Sequence, residues 1–194
     1  MIKLLLYILL SIISTFSNLS GKFVAHNDRI VDISLSHDGN FYITGGKDGK
    51  VIVWDNQTDK IISQHYVNET QLIEKVALSF NNQLIAIGFY NGNIDLVELN
   101  GKKIQTLENN TKSDDNYIVL LKFISNQKLI SCQYKDVIRE WHISSSADYI
   151  QNGGGNIASL KKNFTEPIET ILDMKINSNN KNIIARLSSR KMAR

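Results

Sequence analysis

Histidine, cysteine and carboxylate side chains are the groups of this chain that could bind a metal or take part in catalysis. The chain has four histidines, and no two of them have the four-residue spacing that pairs metal ligands on one helix face. The single cysteine, Cys132, excludes an intramolecular disulfide and a cysteine-based zinc site. The adjacent Asp114 and Asp115 lie in a polar segment and indicate solvated charge. We therefore predict no metal, no cofactor and no catalytic residue.

A glycine run is the other feature that could carry chemistry. Residues 152–156 read NGGGN, but no Gly-Lys-Ser/Thr follows and no helical pattern begins there, as a phosphate-binding loop would require. We interpret the run as a flexible connection. The sequence also lacks a nucleophile elbow and a dinucleotide fingerprint. These observations predict a protein that is not an enzyme.

Composition and charge are those of an ordinary globular protein. The chain has 194 residues, of which 42% are hydrophobic and 21% charged. The formal net charge is only +3 and is spread along the chain, whereas binding to a nucleic acid backbone needs clustered Lys and Arg. We therefore expect no nucleic acid partner.

The first twenty residues differ from the rest. Lys3 precedes an apolar run over residues 4–13, and small and polar residues follow. This is the layout of a secretory signal peptide, and the run is short for a spanning helix, which needs about 20 apolar residues. A marginal membrane anchor, a strand remnant and a wrongly chosen gene start remain as alternatives. Localisation stays open between the secretory pathway and the cytoplasm, and a membrane partner is expected only if the segment is an anchor.

Short alternating runs separated by turn residues fill the remainder of the chain. In the first unit Val31, Ile33 and Leu35 alternate on one side of a strand, and a turn and a second strand follow. Asp48-Gly49 then separates two further alternating runs, which is a strong signal for a two-residue hairpin turn. A fourth short strand over residues 60–64 completes four antiparallel strands in about forty residues.

The same order of strands and turns returns along the chain. Val76 and Leu78 follow Ile33 and Leu35 by 43 residues, and Asn91-Gly92 takes the place of the first hairpin turn. A third unit ends in a weak fourth strand near Tyr149, and a fourth unit stops after two strands. The predicted units span residues 26–68, 69–111, 112–155 and, in part, 164–194.

A repeat of this length built from four short strands predicts an all-β, radially stacked architecture. One four-stranded unit cannot cover both of its own faces, and stacking each sheet on the next solves that problem. We predict a β-propeller with about three full blades and the start of a fourth. Such a chain exposes open strand edges, so we expect further blades or another chain to complete it.

The units resemble the blades of the WD-repeat family, over residues 21–194. The first unit carries the resemblance, with VAH at residues 24–26 and YITGGKDGKVIVWD at residues 42–55. The family's buried hydrogen-bonded tetrad maps onto His26, Thr44, Asp48 and Trp54, a structural role rather than a catalytic one. The second unit departs from the tetrad at all four positions, and the third keeps only Ser131 and Trp141.

The resemblance also implies which positions face a partner. In that family they are the residue before the turn aspartate and the residues three and five past the histidine. They map onto Arg29, Val31 and Lys47 in the first unit, Leu72, Glu74 and Tyr90 in the second, and Tyr117, Val119 and Tyr134 in the third. Tyr and Arg are enriched among binding hot spots.

The sequence as a whole therefore predicts a non-catalytic scaffold that binds other proteins or peptides. Two alternatives remain: a secreted or lumenal ligand-binding propeller, and a propeller-type hydrolase or lyase. The second would require carboxylates or histidines that converge in the central channel.

Overall fold

A computed structural model describes residues 25–67, 71–108, 117–134, 138–144, 158–163, 171–176 and 183–187. Within these ranges the chain is all-β, with three four-stranded antiparallel sheets and one two-stranded sheet. We call the four-stranded sheets blades 1, 2 and 3. The hydrophobic segment of residues 1–20 lies outside the described residues, so its alternatives stay as stated above.

The strands follow one another in order within each sheet. Blade 1 consists of β1 (Ile30–Leu35), β2 (Phe41–Gly46), β3 (Lys50–Asp55) and β4 (Ile61–Tyr66). Blade 2 consists of β5 (Ile73–Leu78), β6 (Leu84–Phe89), β7 (Ile94–Glu98) and β8 (Lys103–Leu107). Blade 3 consists of β9 (Ile118–Ser125), β10 (Lys128–Gln133), β11 (Ile138–Ile143) and β12 (Ala158–Asn163). The last sheet pairs β13 (Ile171–Ile176) with β14 (Ile183–Leu187).

The β2–β3 and β6–β7 hairpin turns have the same geometry. Gly49 has a φ of 72° and Gly92 a φ of 83°, whereas Asp48 and Asn91 do not enter the left-handed region. The Gly49 amide donates to the Gly46 carbonyl at 3.2 Å. Each connection is thus an ordinary turn followed by one left-handed glycine, rather than a two-residue turn with positive φ at both positions.

The first strand contains a bulge that the alternating pattern did not predict. The register of β1 against β2 shifts between Ile30 and Asp32. Because a bulge changes which face the following residues occupy, Val31 packs towards blade 2 while Ile33 and Leu35 remain exposed. The prediction that these three residues share one side was therefore wrong.

The blades pack face to face through apolar clusters. One cluster joins Ile43, Val51 and Val53 of blade 1 to Ile87 and other residues of blade 2. A second cluster joins blade 2 to blade 3 and includes Trp141. The inner strands are stacked in sequence, β1 on β5 and β5 on β9. This radial stacking, left open, is an incomplete propeller.

Polar side chains add specific bonds between the blades. Asp32 accepts a hydrogen bond from the Val76 amide at 3.0 Å, on the inner strands of blades 1 and 2. Between blades 2 and 3, the Gln105 side chain donates to the Ala158 carbonyl at 3.0 Å and accepts from the Ala158 amide at 2.9 Å. The Gln105 amide thus pairs with the backbone of β12 as a neighbouring strand would.

The fourth strand of blade 3 lies later in the chain than the sequence predicted. The strand that pairs with β11 is β12, with Trp141 opposite Leu160, and not the segment near Tyr149. Blade 3 therefore extends past residue 155, and the glycine run connects β11 to β12 instead of following the blade. The contact of Gln105 with Ala158 helps to fix this strand, and such a contact between distant residues leaves no local pattern in the sequence.

One face of blade 1 is uncovered by any described blade. Ile33 and Leu35 are each 62% exposed, whereas their equivalents in blade 2, Val76 and Leu78, are buried. In blade 3 the residue opposite Ser131, Leu121, is likewise buried. The difference follows from stacking, because blade 1 covers blade 2 and blade 2 covers blade 3.

Candidate protein-interaction surface

Four side chains of blade 1 form one chain of hydrogen bonds. His26 Nδ1 lies 3.0 Å from Asp48 Oδ1, and His26 Nε2 lies 2.8 Å from Thr44 Oγ1. The Trp54 indole N–H donates to the same Thr44 oxygen at 2.8 Å. An ionised Asp48 only accepts, so Nδ1 of the histidine carries a hydrogen, and each member of the chain then has a partner. The tetrad implied by the family resemblance is thus brought together here.

The Asp48 carboxylate anchors the β2–β3 turn to the segment that precedes β1. Besides His26 it accepts from the Asn27 amide at 2.8 Å and from the Lys50 amide at 3.2 Å. Burial alone would raise the pKa of Asp48, but these three hydrogen bonds outweigh it and hold the pKa below its ordinary value. The turn is therefore held by a carboxylate that favours its charged form.

Blade 2 keeps the turn but replaces the polar chain with apolar packing. The residues that stand where Thr44 and Trp54 stand in blade 1 are Ile87 and Val97, and both are buried. The position that corresponds to Gly46 is occupied in blade 2 by Phe89, which is fully buried. A Cβ at Gly46 would overlap the His26 ring and the Asp48 carboxylate. The glycine thus makes room for the polar pair, and in blade 2 a phenyl ring occupies the equivalent position.

Blade 3 preserves one link of the chain. The Trp141 indole donates to Ser131 Oγ at 2.8 Å, as Trp54 does to Thr44. The residues at the histidine positions of blades 2 and 3, and Lys135 of the blade 3 turn, lie outside the described residues. The same Ser or Thr to Trp bond therefore supports two of the three blades.

A repeated backbone bond fixes the positions that the resemblance assigns to a partner. In each blade the residue before the position of the turn aspartate donates its amide to a carbonyl just before the inner strand. These bonds are Lys47 to Arg29 at 2.9 Å, Tyr90 to Leu72 at 2.9 Å, and Tyr134 to Tyr117 at 3.0 Å. The bond places equivalent side chains on one side of all three blades. We call this side, defined by these six residues and Glu74, the turn face.

Three tyrosine rings stack across the junction of blades 2 and 3 on the turn face. The rings of Tyr90 and Tyr117 are 5.7 Å apart and inclined by 10°. The rings of Tyr117 and Tyr134 are 5.0 Å apart and inclined by 14°. Both geometries are offset stacking, worth about 0.5–1.5 kcal/mol beyond buried area. Tyr90, at the end of the stack, is 46% exposed.

A charged contact occupies the junction of blades 1 and 2. Lys47 Nζ binds the Glu74 carboxylate across this junction, and both side chains are largely buried. Leu72 is exposed next to Tyr90, and Arg29 is exposed at the start of β1. Within the described ranges, no ion pair of the Arg29 guanidinium is found. The turn face thus combines a charged contact, a tyrosine stack and one exposed guanidinium.

An inner recess of about 470 Å³ lies where the turn face meets the inner strands. Its lining includes Arg29, Val31, Glu74, Lys75, Tyr117 and Val119. Lys75 was not predicted as a site residue, because its place in this lining depends on how the blades pack and no sequence motif marks it. A larger space of about 600 Å³ follows the inner strands. Its lining includes the Asp32 carboxylate, which accepts a hydrogen bond from the Val76 amide. It also includes the His37 ring, which packs against Phe80.

Two further properties concern metals and membranes. Among the described residues, no three His, Cys, Asp or Glu side chains come together as a metal-binding group. His65 belongs to β4, where its Nε2 lies 3.1 Å from the Leu99 carbonyl oxygen. In the same described part of the chain, no helix has the length and apolar character needed to cross a bilayer.

The stacked blades form an incomplete β-propeller, and blade 1 contains the hydrogen-bonded tetrad that the WD-repeat resemblance implies. Comparison with known proteins agrees, since residues 17–55 match the family described as "WD domain, G-beta repeat". This match ends with β3 of blade 1 and covers about a fifth of the chain.

Several known proteins are similar to longer stretches of the chain. It is 25% identical over 129 residues to the small ribosomal subunit protein RACK1 of Drosophila melanogaster, which covers 63% of this chain and 40% of the relative. The solved structures "Structure of U3-55K" and "Crystal structure of RRP9 WD40 repeats" superpose with a TM-score of 0.57 each at 16% identity. Each covers 72% of this chain, which in turn spans 40% and 39% of those chains. The structural likeness supports the fold alone.

Proposed function

We propose that this protein is a non-catalytic scaffold that binds another protein or peptide on its turn face. The stack of Tyr90, Tyr117 and Tyr134 is the observation that carries the proposal. Tyrosines supply a large contact area, and rings already held in place lose little conformational freedom on binding. A preformed aromatic surface with an exposed end therefore suits recognition.

The ionisable groups near this surface support a structural rather than a chemical role. Asp48 is engaged by His26 and by two backbone amides, and Glu74 is bound by Lys47. Asp32 accepts from the Val76 amide and lies 3.9 Å from Lys75. A catalytic acid or base must be available to a substrate, and these carboxylates are occupied by contacts that hold the blades and turns.

Exchange of the outer tyrosines tests the proposal. We expect the double variant Tyr90→Ala and Tyr134→Ala to lose partner proteins that the wild-type chain retains, as measured by quantitative mass spectrometry after affinity capture. The change removes both ends of the stack and leaves the backbone bonds of the turns in place. Circular dichroism should report the same β content for both proteins.

A variant on the opposite side supplies the control. His37→Ala removes an exposed ring that packs against Phe80, 4.9 Å between centroids, in the turn at the other end of the strands. It should retain the wild-type partners. An identical set of retained proteins for the tyrosine variant and the wild type would refute the turn face as the binding surface.

A further inference from the structure

We propose that the inner recess binds a peptide segment in which a carboxylate side chain lies next to an apolar one. Arg29 would pair with the carboxylate, and the apolar side chain would contact Val31, Val119 and the tyrosine stack. This inference rests on the proposed function and names the chemistry of its partner. A recess of about 470 Å³ is within the range of specific binding pockets.

The charges of the recess favour an anionic group. Two of its charged lining residues, Arg29 and Lys75, are cations, and the third, Glu74, is already bound by Lys47. Lys75 lies 3.9 Å from Asp32, which lowers the share of its charge that a ligand would meet. The exposed Arg29 guanidinium therefore provides the main unmatched charge. A guanidinium presents a planar pair of donors that matches a carboxylate.

Apolar and aromatic surface beside Arg29 favours an apolar neighbour for that carboxylate. Val31 and Val119 line the recess together with Tyr117. The Tyr117 ring is the middle ring of the stack and contacts Tyr90, and Leu72 is 46% exposed next to Tyr90. A phenyl or branched aliphatic side chain would bury this surface, while its acidic neighbour remains at the rim near Arg29.

Stacking among the tyrosines argues against single-stranded nucleic acid as the ligand. Such proteins offer separate aromatic faces to successive bases along a positively charged groove. Here Tyr117 has a ring on each side, at 5.7 Å and 5.0 Å, so its faces are already in use. The formal net charge of the chain is only +3. A peptide needs neither a free series of ring faces nor a continuous basic track.

Fluorescence anisotropy with defined probes tests the proposal on the full chain. The probe is a fluorescein-labelled octapeptide with two Phe-Glu pairs between Gly-Ser ends, and the matched probe has Gln in place of Glu. We expect the Glu peptide to bind at least about tenfold more tightly, because its carboxylate adds an attraction to the Arg29 charge that the neutral Gln side chain lacks. Its binding should weaken with added salt. This comparison needs no variant, so no folding defect can obscure it.

Two charge variants locate the binding site. Arg29→Gln should lower the affinity for the Glu peptide about tenfold, and Lys60→Gln should leave it within about twofold. Lys60 is exposed in the connection before β4, on the opposite side from the turn face. Equal binding of the two peptides, no binding of the Glu peptide, or an unchanged affinity of Arg29→Gln would overturn the proposal. Displacement of the Glu peptide by octauridylate at lower concentration than by unlabelled peptide would also overturn it, in favour of nucleic acid.

The two proposals can fail separately. If the tyrosine variant loses its partners but the Glu peptide does not bind, the turn face is an interaction surface whose partner has another chemistry. If the tyrosine variant keeps all its partners, the proposed function fails, whatever the peptide does.

Discussion

Blades 1 and 2 build the same hairpin on two different interiors. In blade 1 Gly46 leaves room for His26 and Asp48, and a polar chain runs on to Thr44 and Trp54. In blade 2 the buried Phe89 stands at the glycine position, and the aliphatic Ile87 and Val97 stand at the positions of Thr44 and Trp54. Both turns nevertheless have one left-handed glycine and the same strand register. The backbone of a blade thus tolerates either a satisfied polar network or an apolar filling.

The largest effect should come from removing the filling of blade 2. We expect Phe89→Ala to lower the free energy of unfolding by about 3–5 kcal/mol, because it deletes a fully buried ring between two blades. Urea unfolding followed by tryptophan fluorescence measures the change. A loss below about 1 kcal/mol would mean that blade 2 does not depend on this ring.

Filling the glycine position of blade 1 should lower the free energy of unfolding by less than Phe89→Ala does. Gly46→Ala places a Cβ against the His26 ring and the Asp48 carboxylate, and overpacking of this kind costs about 1–3 kcal/mol. The cost should shrink in a His26→Ala background, because the ring that the new methyl group meets is gone. An equal cost in both backgrounds would contradict the idea that Gly46 exists to accommodate the polar pair.

Removing the hydroxyl that bonds the tryptophan should destabilise blade 1, with its four-residue set of hydrogen bonds, more than blade 3, which keeps only one of these bonds. Thr44→Val leaves both the Trp54 N–H and the His26 ring without this partner, at an expected cost of about 1–3 kcal/mol. Ser131→Ala affects the Trp141 N–H alone and should cost less. Thermal denaturation of the two variants gives the comparison, and a larger loss for Ser131→Ala would contradict it.

The Asp48 carboxylate should make the stability of blade 1 depend on pH. Its pKa is lowered in the folded state, so its contribution is complete above the unfolded value of about 3.9 and is lost as the pH falls below it. Asp48→Asn should therefore destabilise the protein near neutral pH and flatten the decline in stability towards acid. Denaturation midpoints between pH 3 and 7 test this, and parallel curves for the two proteins would contradict it.

The smallest effects should arise at the two junctions of the turn face. A double-mutant cycle on Lys47 and Glu74 should give a coupling of about 1 kcal/mol, the upper end for exposed pairs since both side chains are largely buried, and the coupling should fall in part with added salt. The same cycle on Tyr90 and Tyr117 should give about 0.5–1.5 kcal/mol with little salt dependence. Equal salt sensitivity of the two couplings would remove the distinction between the charged and the aromatic junction.

Local patterns in the sequence predicted what depends on neighbouring residues. The alternation of apolar residues and the Gly49 and Gly92 turns predicted the order of the strands. The family resemblance, carried by the first unit, implied the tetrad positions. The exchange of Gly46 for Phe89 was also visible in the two aligned units, but its meaning required knowing that His26 folds back over the glycine.

Features that depend on contacts between blades were not predicted. The place of β12 is tied to the pairing of Gln105 with Ala158, which are 53 residues apart. The bulge in β1 moved Val31 to the face opposite Ile33. The stacking of Tyr90 on Tyr117 depends on the distance between two blades, which no spacing within one unit specifies.

The backbone bond repeated at Lys47, Tyr90 and Tyr134 has an evolutionary consequence. Each bond joins a main-chain amide to a main-chain carbonyl, so almost any residue type can make it, and three different pairs of side chains do so in this chain. Under the proposed function, point mutations at these positions change which molecules the protein recognises at almost no cost to the stability of the fold. A repeat of this kind can acquire new partners one residue at a time.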